Sequence, residues 1–298
     1  MIDVPALRAL CSVAVLGTIA RAAQELDFTP SAVSQQIKRL ESQVGVPLLA
    51  TAGRGVVLTP AGQALTASAA DVFESLERGA EAARSVAGGR PSGVVRVAAF
   101  STAIRGLLAP RLPALAAHCP GLHVWLTEQD PDQAVHAVTT GAADMAVVHD
   151  ADGLPPRIPA ALSQRHIHTD VGDLVMHRSH HLASARYVSS NELAGQAWAT
   201  SPPGTVCHQW FRRLLAGQPG EPDVRHLIDD FATQLSVVAA GEVIALIPRL
   251  ARPHLPEDIA VVPVDPPPVR QISAVWRRSA DVSPAIKAVV NELSMIIV

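Results

Sequence analysis

Aromatic side chains are nearly missing from this chain, at 3% of 298 residues with a single tyrosine. Its core must therefore be built from Ala, Val, Leu and Ile, and a hydrophobic content of 48% with a mean hydropathy of +0.23 supplies one. Cysteine is almost as scarce. Cys11, Cys119 and Cys207 stand far apart with no Cys-x-x-Cys, which excludes a disulfide framework and points to a reducing compartment. No apolar run reaches the length of a bilayer span. Asp3 and Pro5 interrupt the place where a secretory leader would carry its basic and apolar regions. The expectation is a cytoplasmic protein with no membrane partner. Gly-x-Ser-x-Gly, the P-loop, the dinucleotide-binding glycine fingerprint and His-Glu-x-x-His are absent too, so neither an enzyme nor a cofactor is expected. Histidine is plentiful, with His177, His180 and His181 close together and His166 and His168 alternating, but no Cys or carboxylate joins them at zinc spacing and no metal is expected.

What is present organises itself around residues 17–44. Ala22, Ala23 and Leu26 recur at helical spacing, and Asp27-Phe28 interrupts them. Thr29-Pro30 then reads as a helix entrance, a hydroxyl at the N-cap and proline at the first helical position. From there Val33, Ile37, Leu40 and Val44 make one apolar stripe, and Ser31, Ser34, Gln35, Lys38 and Arg39 occupy the opposite face. Side chains of that kind hydrogen-bond base edges and phosphates, so this second helix fits a major groove. The supporting charge is thin: five Lys and Arg against four Asp and Glu in residues 1–60, so non-specific DNA attraction should be modest.

AAQELDFTPSAVSQQIKRLESQVGVPLL followed by GRGVVLTPAG resembles the winged helix-turn-helix of LysR-type transcriptional regulators. The resemblance implies DNA contacts from Thr29, Pro30, Ser31, Ser34, Gln35, Lys38 and Arg39, with Arg54 at a wing tip formed by Gly53-Arg54-Gly55. One departure stands out. The family usually enters its wing through Leu-Phe-x-Arg, whereas this chain has Leu48-Leu49-Ala50-Thr51. A second Thr-Pro entrance at Thr59-Pro60 opens a helix to about Val86, on which Leu65, Ala69, Val72 and Leu76 step like a coiled-coil seam. The family places its dimerising helix here. The partners implied are double-stranded DNA with dyad symmetry, a second copy of the chain in a homodimer or homotetramer, a small-molecule effector and RNA polymerase.

Residues 87–93 read as a linker, after which strands and helices alternate. The expected class is α/β overall: an all-α winged head, residues 1–59, a linker helix, 60–87, and a two-lobed effector-binding domain, 88–298. Lobe I takes 94–161 and 269–298, lobe II 162–268, as in periplasmic binding proteins, and a Pro-rich stretch, 154–159, precedes lobe II. A single helix is predicted from Thr102 to His118. Ligands in such folds bind beyond the carboxyl ends of strands. That singles out Ser101, Thr102 and Thr127 in lobe I, and Thr200, Ser201 and Thr205 in lobe II. Hydroxyls and helix-start amides without a fixed counter-charge suit a small anionic metabolite. The alternative is a thiol-based redox sensor at Cys207, whose place at a helix start would favour the thiolate; relatives of that kind use a second cysteine nearby, which this lobe lacks.

Overall fold

The computed structural model describes residues 2–52, 55–86, 90–150, 157–218, 220–252 and 255–295. Its N-terminal head is α1 (Val4–Leu16), α2 (Ile19–Glu25) and α3 (Pro30–Val44). The Thr18 and Thr29 hydroxyls cap α2 and α3 by accepting from the amides of Arg21 and Ala32 at 3.3 and 3.2 Å. Val33, Ile37 and Leu40 of the predicted stripe lock into Ala6, Leu10, Ala22, Ala23 and Leu48 as one cluster. Gly45 ends α3 at φ 78°, a left-handed conformation that favours glycine, with its amide returning to Glu41.

The wing follows as β1 (Leu49–Ala52) and β2 (Gly55–Leu58), an antiparallel pair with Leu49 opposite Leu58. Glu41 Oε1 accepts from the amides of Leu48 and Leu49 at 2.8 and 3.2 Å, which fastens the wing to α3. Leu49 packs against the head's cluster, so an aliphatic side chain sits where the family has its aromatic plug. Arg54 lies outside the described residues, as do residues 87–89 and 151–156 of the two linkers.

The long helix α4 (Pro60–Val86) corrects the expected seam. Ala69 is 2% exposed and packs with Phe73 against Leu7 and Cys11 of α1, and Leu65 joins them. These residues are used up inside the chain. Val72 and Leu76 of the expected seam are 36% and 50% exposed. Sequence periodicity marks an apolar stripe but does not say which neighbour it faces.

Lobe I opens with β3 (Gly93–Ala99), α5 (Ser101–Ala103), a π-helical turn Ile104–Leu108, a 3-10 turn Ala109–Arg111 and α6 (Leu112–His118). The single helix expected over this stretch is broken into segments of different pitch; Pro110 and Pro113 remove two amides from it. The π turn lays Gly106 on Leu250, where a Cβ would sit 2.5 Å from the Leu250 carbonyl oxygen. Then come β4 (Leu122–Glu128), α7 (Pro131–Thr139), β5 (Met145–His149) and β6 (Leu162–His177). Lobe II adds β7 (Val188–Ser189), β8 (Ala197–Thr200), α8 (Val206–Leu214), β9 (Asp223–Leu227), α9 (Phe231–Ala239), β10 (Ala245–Pro248), the 3-10 turn Arg249–Ala251 and β11 (Ile259–Asp265). The chain returns to lobe I through β12 (Val269–Arg277) and α10 (Pro284–Ser294).

Strand β3 runs parallel to β4 and β5, and β12 lies antiparallel between β5 and β6. Along β3, Val95 and Val97 turn to Leu107, Leu115, Ile286 and Val290, whereas Ala98 turns to Ala134 and Val138 of α7. This alternation buries both sheet faces. Strand β6 serves both lobes. Its residues from Leu162 to Val171 pair with β12, and those from Gly172 to His177 pair with β10 and β11. The crossover expected at Leu162 is therefore at Val171–Gly172, and residues 162–171 pair on the lobe I side. The other crossover stays at Val269, which opens the pairing of β12 with Val171.

Candidate functional site

On α3 the buried stripe fixes which side faces out. Ser31, Gln35, Lys38 and Arg39 are exposed, as are Thr29 and Pro30 at its entrance, and Ser34 is half-buried. Thr29 and Ser31 join hydroxyls at 3.0 Å. The helix thus offers one continuous polar face, with hydroxyl, amide, ammonium and guanidinium groups along it. Phe28, 47% exposed, stands just before that entrance and was not singled out from the sequence.

The second site is a cavity of about 500 Å³ where the two lobes meet. Ser101, Thr102 and Thr205 line it; Thr127, Thr200 and Ser201 do not. Thr127 is exposed elsewhere, and Thr200 and Ser201 are buried at 5% and 1% exposure. Thr205 also has a structural duty, because its hydroxyl accepts from the His208 amide at 3.1 Å and caps α8. Strand-end position therefore put three of the six hydroxyls on the cavity wall and could not say which strand ends open into it.

Arg270 is the group the sequence did not reveal. It enters from the start of β12, lines the cavity and is 1% exposed. Its Nε and Nη2 donate to Asp170 Oδ2 at 3.1 and 2.7 Å. Its Nη2 also donates to Thr102 Oγ1 at 2.7 Å, so that hydroxyl positions the arginine instead of standing open. Phe100 and Trp210 flank the guanidinium at 5.2 and 5.8 Å from their ring centres. Its Nη1 has no acceptor among the described residues. Asp170 completes the cluster by accepting from the amides of Val171 and Leu250 through Oδ1. The available signal was an arginine inside one apolar strand and an aspartate inside another.

His149 forms part of the same wall, edge-on to Phe100 at 4.5 Å. Burial, with the charge of Arg270, pushes its pKa down to about 3, so the ring is neutral and its Nδ1 pairs with the Asp150 carbonyl at 2.9 Å. Glu128, Gln129, Asp130, Asp132 and Asp229 line the same cavity. Burial, then the charges of Asp229 and Asp132, holds the Asp130 carboxyl above its ordinary range. Cys207 lines the cavity as a free thiol, and burial pushes its pKa up to about 11. That is opposite to the depressed value expected from its place near the start of α8. No group of three or more His, Cys, Asp or Glu among the described residues is placed to hold a metal ion.

Known proteins match this arrangement from end to end. Residues 5–63 match the family "Bacterial regulatory helix-turn-helix protein, lysR family", and residues 88–295 match "LysR substrate binding domain". The small neutral protease regulatory protein of Streptomyces coelicolor is 31% identical over 94% of this chain and 88% of its own. The transcriptional regulator BudR of Raoultella terrigena is 28% identical over 91% of this chain and 93% of its own. Among solved structures, a full-length OxyR variant from Pseudomonas aeruginosa superposes with a TM-score of 0.72 at 20% identity, covering 99% of this chain and 95% of that one. Full-length CbnR in complex with its target DNA superposes with a TM-score of 0.57 at 23% identity, covering 98% of each chain. With a helix-turn-helix head, a long linker helix and a two-lobed substrate-binding domain all in family order, this chain belongs to the LysR family of DNA-binding transcriptional regulators.

Proposed function

We propose that this regulator reads a dyad-symmetric operator as a dimer through the outer face of α3, and that a small carboxylate-bearing metabolite in the interlobe cavity adjusts its grip. The observation that carries the sensing half is Arg270, a residue that lines the cavity and whose buried Nη1 has no acceptor among the described residues. The reading half rests on the polar side chains left exposed on α3 by its buried stripe. RNA polymerase is the further partner such a regulator would meet at a promoter.

A path for coupling is visible in the fold. Arg270 stands at the start of β12, and β12 ends in the turn Arg278–Ala280, which touches α4. A ligand shifts such an element only by binding its two arrangements differently. The rival reading, redox sensing at Cys207, is disfavoured by the thiol's raised pKa of about 11, because the thiolate is the reactive form.

DNA footprinting of two variants tests the reading half. Gln35→Ala should cost about 1–3 kcal/mol in specific binding through a lost base contact. Lys38→Ala should instead flatten the salt dependence, because it removes a phosphate contact. Wild-type affinity and salt slope in both variants would remove this face as the reader. For sensing, a ligand that shifts the footprint of the wild type should fail to do so with Ser101→Ala; an equal shift in both would place the effector elsewhere.

A further inference from the structure

The cavity that receives the effector is not the anion site its hydroxyls imply. Glu128, Asp130 and Asp132 come to it from lobe I and Asp229 from lobe II. None of the four has an ion-pair partner among the described residues. Asp230, next in the chain, is taken by Arg105 at 3.6 Å. Arg270 is the cation in the wall, and its charge is already balanced by Asp170. A plain anion entering here would meet four carboxylates for one neutralised guanidinium. Two of the lining residues each carry a buried polar atom without a partner among the described residues: the donor Nη1 of Arg270 and the acceptor Oε1 of Gln129, the neighbour of Asp130.

We propose that the effector is a small ampholyte, an ammonium-bearing carboxylate, with its carboxylate against Arg270 and Ser101 and its ammonium against Gln129 and the Asp130, Asp132 and Asp229 carboxylates. This rests on the reading of the cavity as the effector site. The placement of the acids also supplies a closing force. Asp130, Asp132 and Asp229 line one cavity, and Asp130 of lobe I feels the charge of Asp229 from lobe II, so like charges there oppose approach of the lobes while the site is empty. An ammonium group between them replaces that repulsion with attraction from both sides. A carboxylate lacking the ammonium leaves the repulsion in place.

The test uses the full-length protein and a panel of amino acids: the protein-forming set, β-alanine and 4-aminobutyrate. Each is paired with the carboxylic acid that lacks its amine and the amine that lacks its carboxylate. Thermal melts screen the panel and calorimetry measures what binds. At least one amino acid should raise the melting temperature, with neither of its analogues doing so at equal concentration. Its affinity should fall about tenfold or more in Asp229→Asn and in Ser101→Ala, each removing one partner of a charged group. Asp229 is exposed and Ser101 half-buried, so neither variant opens a core. A carboxylic acid that binds as well as its amino acid, or equally well to wild type and Asp229→Asn, would overturn the ampholyte while leaving the cavity as the effector site. An amino acid whose binding survives both substitutions would overturn the cavity reading itself. A panel with no binder would overturn the proposal.

Discussion

Replacing Asp170 with asparagine should be among the most damaging single changes available to the effector domain. Its side chain is 0% exposed and that of Arg270 is 1% exposed, so solvent screens the pair little. Asp170→Asn keeps the shape and removes the counter-charge. Thr102 Oγ1 at 2.7 Å and the faces of Phe100 and Trp210 stay in place, but none carries a negative charge. Breaking a buried pair by neutralising one member costs about 3–5 kcal/mol, because the other charge is left uncompensated. For a domain of this size each kcal/mol is worth roughly 2–4 °C, which gives a fall of about 6–20 °C in melting temperature. Calorimetric melting measures it, and urea titration at constant m checks that the folded state is otherwise the same. The double variant Asp170→Asn/Arg270→Met removes both charges and should recover part of the loss. A fall below about 2 °C in the single variant would refute the argument, given the size scaling. So would a double variant less stable than the single one, since the two costs would then be independent.

Leu76→Asp places a charge on the exposed part of the α4 seam and should raise the dimer dissociation constant more than tenfold by sedimentation. Ala69→Asp, aimed at the part packed on α1, should instead lower the head's own melting temperature; identical behaviour of the two would contradict the split seam. His149 loses its proton preference on folding, its pKa going from 6.5 to about 3. The unfolded chain therefore binds the extra proton, and stability should be full above about pH 6.5 and fall as pH drops toward 3. His149→Gln should flatten that slope in melts across pH 4–7, and an unchanged slope would count against a buried neutral ring. Gly106→Ala puts a Cβ 2.5 Å from the Leu250 carbonyl oxygen and should cost about 1–3 kcal/mol in urea denaturation; wild-type stability would show that the two turns part freely.

The head was legible because its rules are local. A Thr-Pro entrance, a stripe at helical spacing and a glycine stop each act within one turn of chain, and α3 obeys all of them. The strand–helix alternation of the larger domain was legible for the same reason. What stayed hidden was long-range. Arg270 meets Thr102 from 168 residues away, and no periodicity connects them. Asp170 is a charged residue in the middle of β6, and only the fold shows that it is buried against Arg270. Thr200 and Ser201 satisfied the rule for strand ends and are nevertheless buried outside the cavity's lining, since the rule fixes an end and not a direction.

The packing of α1 on α4 has a mechanical result. Phe73 and Ala69 hold the head to the first part of the long helix, so head and helix turn as one piece. A helix of 27 residues rising about 1.5 Å each is roughly 40 Å long, and a tilt of about 5° at one end swings the other by about 3.5 Å. That displacement is close to the rise of one base pair. A lobe movement of a few degrees, too small to alter any contact inside the head, would then move α3 by about one step along the operator. In the dimer proposed above, two such arms would work as a caliper, turning an angle at the lobes into a distance on DNA.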